Sequence, residues 1–242
     1  MSDYKYKKVL LKISGEALIG SQDFGIDPVP VHFICKEIKK AVEKGIKIAV
    51  VVGGGNIFRG VKNSSKLGMD QASGDYVGML ATVMNAIALQ SQLRQLGVEC
   101  RVQSAIDISK IAEPYIRFKA IRHLEKERVV IFAAGTGNPF FTTDTAAALR
   151  AAEISADAML MAKNGVDGVY NDDPRINKNA KKYDKITYDD VISKDLKVMD
   201  LTSCALCKQN NIPIHVFDFN LEDGMLKILK GENTGTIIDK GE

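Results

Sequence analysis

Short apolar runs alternate along this chain with segments in which apolar residues recur every three or four positions. The runs have the length and composition of buried strands, and the periodic segments have the spacing of helices. The predicted strands are Val9–Ile13, Ile46–Val52, Val98–Gln103, Arg128–Ala134, Ala158–Ala162 and Ile214–Phe217. A first helix starts at Asp27 and Pro28 and stops before Gly45, and the others are Tyr76–Leu96, Tyr115–Lys126, Thr143–Ile154, Thr202–Gln209 and Gly224–Lys230. This alternation predicts an α/β fold, with a mostly parallel central sheet flanked by helices on both faces.

Between Lys163 and Tyr188 the periodicity gives way to Asn, Asp, Gly, Pro and Lys residues. A stretch of that length is typical of a functional segment rather than a simple connection. No internal repeat and no low-complexity linker interrupts the sequence. We therefore predict a single domain over residues 1–242.

Three glycine-containing segments each follow a predicted strand: Lys12–Glu16, Gly53–Gly60 and Gly135–Asp144. Glycines let backbone N–H groups approach a phosphate closely, and Arg59 offers a fork of donors that matches phosphate oxygens. In an open parallel sheet, loops at the carboxyl ends of the strands converge on one crevice. The three segments therefore predict one phosphate-rich site, although Gly53–Gly60 alone is also compatible with a plain turn.

Composition narrows the class of protein. A hydrophobic fraction of 45% and a charged fraction of 26% are ordinary for a globular protein, and a net charge of +3 is too small to indicate a nucleic-acid partner. The longest apolar runs fall far short of the ~20 residues that span a bilayer, so we expect no membrane association. The N-terminal segment lacks the pattern of a signal peptide, which predicts a cytoplasmic protein.

Cysteines and histidines give no metal-ligand spacing. Cys204 and Cys207 form one Cys-x-x-Cys pair with no second pair and no nearby histidine. Their apolar neighbours favour buried helix packing over a redox or zinc role. The three histidines are scattered, and each is interpreted as structural or exposed on the surface.

Four segments together resemble the sequence pattern of the bacterial uridylate kinases, a group within the amino-acid kinase family. They are Gly53–Gly60, Gly74–Thr82, Thr136–Asp144 and Val166–Tyr170, and the resemblance covers essentially the whole chain. The chain has no G-x-x-x-x-G-K-[ST] motif, in keeping with a family distinct from the P-loop kinases. The resemblance implies a three-layer α/β sandwich that transfers the γ-phosphoryl group of ATP, accompanied by Mg²⁺, to UMP in pyrimidine nucleotide biosynthesis.

The resemblance also implies roles for individual residues. Those implied to bind ATP are Lys12, Ser14, Gly15, Gly55, Arg59, Asn164, Tyr170 and Asp173. Those implied to bind UMP are Gly54, Asp75, Thr136, Gly137, Asn138, Pro139, Phe140, Phe141, Thr142 and Thr143. The catalytic set is Lys12, Arg59, Asp144 and Asp200, and no protein-held metal is implied. The stretch that contains Asn164 is one residue longer here than in the enterobacterial members.

Physical chemistry fits these implied roles. Phosphoryl transfer needs positioning and neutralisation of charge, so a lysine at the end of the first strand can follow the migrating charge. Asp75 suits ribose hydroxyls rather than a phosphate, and its alternative role is the N-cap of a helix that begins at Tyr76. Asp144 and Asp200 are interpreted as organisers of lysine or magnesium, with N-capping of the following helices as the alternative.

Regulation and assembly follow only from the resemblance. The segment Gly20, Ser21, Gln22, Asp23, Phe24 and Gly25 resembles the one through which family members respond to GTP. GTP and UTP are therefore the implied effectors, and a homohexamer is the implied assembly. The methionine-rich helix Tyr76–Leu96 can supply an apolar face for such an assembly, although the same stripe is compatible with core packing.

Three other functions remain as alternatives. An amino-acid kinase that phosphorylates a carboxylate, such as that of acetylglutamate or aspartate, would share Lys12 and the glycine loops. The Gly74–Asp75 and Thr136–Thr143 segments favour a nucleotide acceptor instead. A noncatalytic nucleotide sensor or storage protein built on this fold could keep the glycine loops and lose Lys12 or Asp144, and both are present. A Rossmann dehydrogenase is disfavoured because no G-x-G-x-x-G opens the first helix.

Overall fold

A computed structural model of the protein describes residues 4–58 and 68–241 and contains a large central sheet. The strands are β1 Lys8–Ile13, β2 Lys47–Val52, β3 Cys100–Ser104, β4 Glu113–Pro114, β5 Val129–Ala133, β6 Ala158–Lys163, β7 Val169–Tyr170, β8 Lys182–Tyr183, β9 Lys185–Thr187, β10 Ile214–Asp218 and β11 Thr236–Asp239. The helices are α1 Pro28–Val42, α2 Gln71–Gln95, α3 Arg117–Glu125, α4 Thr143–Glu153, α5 Tyr188–Ser193, α6 Leu201–Gln209 and α7 Gly224–Lys230. A short 3₁₀ helix, Gly15–Leu18, follows β1.

The sheet has the strand order β4-β3-β5-β2-β1-β6-β10-β11-β9. Among these strands every neighbouring pair is parallel except β10 and β11. The carboxyl ends of β1, β2, β5, β6 and β10 therefore share one edge, where the three glycine-containing segments begin. The predicted α/β class with a mostly parallel sheet is confirmed.

Helices cover both faces of the sheet. On one face, α1, α2 and α7 pack on the alternate side chains Val9, Leu11 and Ile13 of β1. On the other face, α3, α4, α5 and α6 pack against a second core that includes Leu10. Because side chains alternate along a strand, Lys12 faces this second side, towards α4 and α6.

The two cysteines of the Cys-x-x-Cys pair lie in that second core. Cys204 and Cys207 are both fully buried on α6. Burial raises the pKa of the Cys204 thiol to about 11 and that of the Cys207 thiol to about 12. The thiolate form that redox chemistry and metal binding require is thus disfavoured, in agreement with helix packing.

Some elements differ from the sequence prediction. Helix α2 begins at Gln71 rather than Tyr76, because Asp70 caps it by accepting a hydrogen bond from the Ser73 N–H. The stretch predicted to be irregular contains the small antiparallel hairpin β7–β8. The short strands β4, β9 and β11 and the short helix α5 were not predicted, since each is only a few residues long. No helix in the described part of the chain is both long and apolar enough to cross a membrane.

Candidate active site

A buried ion pair marks the carboxyl edge of β1. Lys12 is 7% exposed, and its Nζ lies 2.6 Å from Asp144 Oδ1. Asp144 lies in the first turn of α4, where a carboxylate interacts favourably with the helix dipole. The N-cap of α4 is Thr142, whose hydroxyl accepts from the Asp144 and Thr145 N–H groups, so the N-capping alternative for Asp144 is wrong. Asp144 instead holds the Lys12 ammonium in place.

Asp200 joins the amino ends of two helices. It is the N-cap of α6 and accepts a hydrogen bond of 2.7 Å from the Ser203 N–H, so its N-capping role is confirmed. It also accepts from the hydroxyls of Thr142 and Thr145 at the start of α4. The amino ends of α4 and α6 are thereby held together, and both place partial positive charge near Lys12.

The backbone of the triple-glycine loop after β2 packs directly against the backbone of α2 and of the loop after β1. A Cβ on Gly54 would lie 2.7 Å from the Gly78 carbonyl oxygen, and one on Gly15 would lie 2.7 Å from the Gly55 nitrogen. Real Cβ contacts are not that short, so glycine is required where the loops after β1 and β2 meet α2. Arg59, predicted to clamp phosphate, lies outside the described residues.

Next to this loop is a cavity of about 140 Å³ between α2 and the loop after β5. Seven of the ten residues that the resemblance assigns to UMP line it: Gly54, Asp75, Thr136, Asn138, Phe141, Thr142 and Thr143. Phe140 is largely exposed. The structure therefore brings most of the predicted acceptor residues to one cavity, on the β2 and β5 side of Lys12.

Asp75 bridges the two walls of this cavity. It lies one turn inside α2, where the N-cap is Asp70, so the N-capping alternative for Asp75 is wrong. Its Oδ2 accepts a hydrogen bond of 2.8 Å from the Phe140 N–H. Phe140 has a φ of 70°, an unusual backbone conformation for a residue with a side chain. Asp75 thus helps to hold the loop in a strained shape.

Thr82 is a lining residue that the sequence analysis did not assign. It is 3% exposed, its hydroxyl donates to the Met79 carbonyl at 2.7 Å, and it accepts from the Ala134 N–H at 2.8 Å. Gly78 and Met79 also line the cavity. Positions 75, 78, 79 and 82 have the spacing of one helix face, so this spacing from Asp75 was the signal that could have found them.

Three of the residues implied to bind ATP, and specifically its adenosine part, are Asn164, Tyr170 and Asp173. They lie on the opposite side of Lys12, in and before the β7–β8 hairpin. Asn164 Oδ1 accepts a hydrogen bond of 3.0 Å from Asn220 Nδ2. The Tyr170 hydroxyl donates to Asp167, and the Asp173 carboxylate pairs with Arg175. The bond to Arg175 lowers the pKa of Asp173. Each of the three residues thus has its own partner. They lie within ten positions of one another in the chain, and none of these bonds links one of them to another.

The 20–25 segment is bonded to the triple-glycine loop. The Gly25 N–H donates to the Asn56 carbonyl at 2.8 Å, and Asn56 Nδ2 donates to the Gly25 carbonyl at 2.9 Å. Asn56 is buried and exchanges two amide hydrogen bonds with Asn85 of α2. Phe24 is 76% exposed. A change in this segment therefore has a direct path of hydrogen bonds to the glycine loop.

Lys163 at the end of β6 is a second lysine that the sequence analysis did not assign to the site. Burial, and then repulsion from Lys12, lower the pKa of its ammonium, while the Asp144 charge acts in the opposite sense. The register of β6 against β1, with Met161 opposite Lys12, places Lys163 close to the Lys12–Asp144 pair.

The chain is similar to known proteins over nearly its whole length. Residues 7–218 match the model of the amino acid kinase family. A uridylate kinase from Limosilactobacillus reuteri is 56% identical over 239 residues, which are 99% of each chain. The crystal structure of a UMP kinase from Bacillus anthracis has a TM-score of 0.95 at 41% identity and covers 98% of this chain and 97% of its own. That of a UMP kinase from Ureaplasma parvum has a TM-score of 0.92 at 41% identity, with 98% and 100% covered.

Three independent features agree: a buried lysine–aspartate pair beside two helix amino ends, glycine loops packed backbone to backbone, and full-length similarity well above 30% identity. The chain therefore belongs to the amino acid kinase family, among its uridylate kinase members.

Proposed function

We propose that this protein transfers the γ-phosphoryl group of ATP to UMP and so makes UDP for pyrimidine nucleotide biosynthesis. The single observation that carries this proposal is the place of the Lys12–Asp144 pair, between the cavity next to Asp75 and the loops that follow β6 and β10. One side suits an acceptor nucleotide and the other suits the donor. Lys12 then lies where the phosphates of the two substrates meet.

Phosphoryl transfer requires the protein mainly to position the two substrates and to stabilise the negative charge of the phosphates. A phosphate oxygen of UMP attacks the γ-phosphorus, the bond from that phosphorus to the bridging oxygen breaks, and the electron pair remains on ADP. The acceptor phosphate is already a nucleophile, so no general base is needed. The N–H groups at the start of α4 and α6 and the Lys12 ammonium are fixed before the reaction, which makes them effective donors to developing charge. Arg59 remains the proposed clamp for phosphate.

Mg²⁺ is the proposed cofactor, and the residues present fit it. Two carboxylates, Asp144 and Asp200, lie at the crevice. Mg²⁺ is usually held by one or two carboxylates together with the phosphates of its nucleotide. Within residues 4–58 and 68–241 no three His, Cys, Asp or Glu side chains are grouped to hold a metal. When bound with ATP, the ion would neutralise phosphate charge, and Asp144 or Asp200 would be its protein ligand.

We propose one domain over residues 1–242, a homohexamer, and GTP and UTP as effectors. Tyr76, Leu80 and Met84 form an exposed apolar stripe along α2 that supports an interface between copies. The hydrogen bonds from Gly25 through Asn56 support coupling between the 20–25 segment and the glycine loop.

The test of the proposed function is release of ADP with each of several acceptors. We expect UMP to be the preferred acceptor, with CMP and dUMP turned over more slowly, because Asp75 and the loop after β5 form a shaped cavity for one nucleotide. Acetylglutamate and aspartate should give no ADP above the background rate. Turnover of either carboxylate in preference to UMP would overturn the proposal, and equal rates with UMP and CMP would remove the claim of uracil selectivity.

Asp75→Asn tests the acceptor cavity. We expect the KM for UMP to rise about 10-fold with an unchanged KM for ATP, because a hydrogen bond to a charged group contributes about 1.5–3 kcal/mol. Asp70→Asn is the matched control, since it removes one charge from the same helix while asparagine remains a good N-cap. An unchanged KM for UMP with a lowered Tm would show that Asp75 acts only in folding.

A further inference from the structure

Lys163 is the last residue of β6, on the donor side of Lys12. Strands β1 and β6 are parallel, with Lys12 opposite Met161. Lys163 lies two residues beyond Met161, so its side chain leaves the same sheet face as that of Lys12. That face is the one covered by α4 and α6, whose amino ends meet at Asp200. The two lysines are therefore diagonal neighbours at one edge of the sheet.

The ammonium of Lys163 has no counter-ion within the described residues. Its Nζ donates to the Val198 carbonyl at 2.6 Å, and no carboxylate of that part of the chain lies within 4.0 Å. A lysine ammonium has three donors, and Val198 uses one of them. The charge of Lys12, by contrast, is already balanced by Asp144 at 2.6 Å. Within the described residues the Lys163 ammonium thus keeps donors that an anion could use.

Among the described residues, the nearby carboxylates accept hydrogen bonds from neutral donors and form no ion pair with Lys163. Asp218 of β10 lies opposite Lys163 in the sheet, but its Oδ1 accepts from the Gly165 and Asn220 N–H groups. Asp200 of α6 accepts from Thr145 and Ser203. Lys163 is half-buried, and desolvation together with repulsion from Lys12 disfavours its charged form and lowers its pKa. An anion that enters the crevice beside the two lysines would offset both effects.

We propose that Lys163 is a second catalytic lysine, which binds the phosphates of ATP on the side of Lys12 away from the UMP cavity. This inference rests on the proposed function. The bond that breaks joins the γ-phosphorus to the β,γ-bridging oxygen, and the electron pair stays on the β-phosphate of ADP. Lys163 donates a hydrogen bond to that phosphate as its charge grows. Lys12 serves the γ-phosphoryl group as it moves towards UMP.

The test compares Lys163→Met and Lys163→Arg with the wild-type protein. We expect Lys163→Met to lower kcat about 10- to 30-fold, as for loss of one charge-assisted hydrogen bond, and to leave UMP binding by calorimetry unchanged. Lys163→Arg should restore at least part of the loss because the charge returns. Lys197→Met is the matched control, because Lys197 precedes Val198 in the chain but is 82% exposed and paired with Asp195. The kcat of Lys197→Met should equal that of the wild type.

The pH profile gives a second readout. The groups that face Lys163 are Lys12, Asp144, Asp200 and Asp218. Because the pKa of Lys163 is lowered, its charge is lost as the pH rises, and kcat/KM for ATP should fall on the alkaline side. In Lys163→Arg the guanidinium stays charged, so the fall should move to higher pH.

Several outcomes would overturn the inference. The first is a kcat for Lys163→Met within about 3-fold of that of the wild type. The second is an equal loss of kcat in Lys163→Met and Lys163→Arg together with a lowered Tm. The third is an alkaline fall in kcat/KM for ATP that stays at the same pH in Lys163→Arg. If Lys163→Met does not fold, the pH profile of Lys163→Arg decides. Absence of UDP formation by the wild-type protein would instead reject the proposed function itself, so the two failures are distinct.

Discussion

Lys12→Met should lower kcat for UDP formation about 10²- to 10³-fold, as is typical when one preorganised group that stabilises transition-state charge is removed. Methionine keeps much of the aliphatic stem and loses only the ammonium. In the structure that ammonium is buried, lies 2.6 Å from Asp144 and stands beside the amino ends of α4 and α6. The measurement is steady-state release of ADP with saturating ATP and UMP.

Binding of UMP separates a catalytic effect from a structural one. The UMP cavity is formed by α2 and the loops after β2 and β5, and Lys12 does not line it. Calorimetry should therefore give a Kd for UMP close to that of the wild type, with a folded protein. Lys8→Met is the control, because Lys8 begins the same strand at the opposite edge of the sheet. A near-normal kcat for Lys12→Met would mean that the catalytic centre lies elsewhere.

The fold and the site edge could be predicted from the sequence because both depend on local patterns. Apolar runs gave the strands of the parallel sheet, and glycines after Ile13, Val52 and Ala134 marked the loops that converge at its carboxyl edge. The resemblance to the family then assigned residues to those loops. Seven of the ten assigned to UMP line one cavity.

Hydrogen bonds and contacts between residues that are far apart in the sequence could not be predicted. The hydrogen bond from Phe140 to Asp75 spans 65 positions, and the bond from Ala134 to Thr82 spans 52. A capping rule applied at Tyr76 offered N-capping only as the alternative role of Asp75, and that alternative is wrong because the N-cap of α2 is Asp70. Lys163 was missed for a similar reason, since only the register of β6 against β1 places it beside Lys12.

The balance of charge at the crevice depends on which lysine is paired. Asp144 pairs with Lys12, whereas Asp200 and Asp218 accept hydrogen bonds from neutral hydroxyl and N–H donors. The Asp144 carboxylate thus holds the Lys12 ammonium in place before the substrates bind. When phosphates arrive, an ammonium fixed in this way needs no reorganisation, which is the physical basis for strong electrostatic catalysis.

Asp144→Asn should test whether Asp144 acts through Lys12. Asparagine keeps the shape but loses the charge that fixes the ammonium, and misplacement of a catalytic group by about 1 Å can cost about 10²-fold in rate. We therefore expect kcat to fall about 10²-fold. Removing one partner of a buried pair also destabilises the fold, so Tm should fall as well.

The double variant Lys12→Met with Asp144→Asn distinguishes positioning from an independent role. If Asp144 serves only to place Lys12, kcat of the double variant should lie within about 3-fold of that of Lys12→Met alone, because the second change removes nothing further. The Tm of the double variant should also recover relative to Asp144→Asn, since no buried charge is left without its partner. Losses that multiply would show instead that Asp144 contacts the substrate or its Mg²⁺ directly.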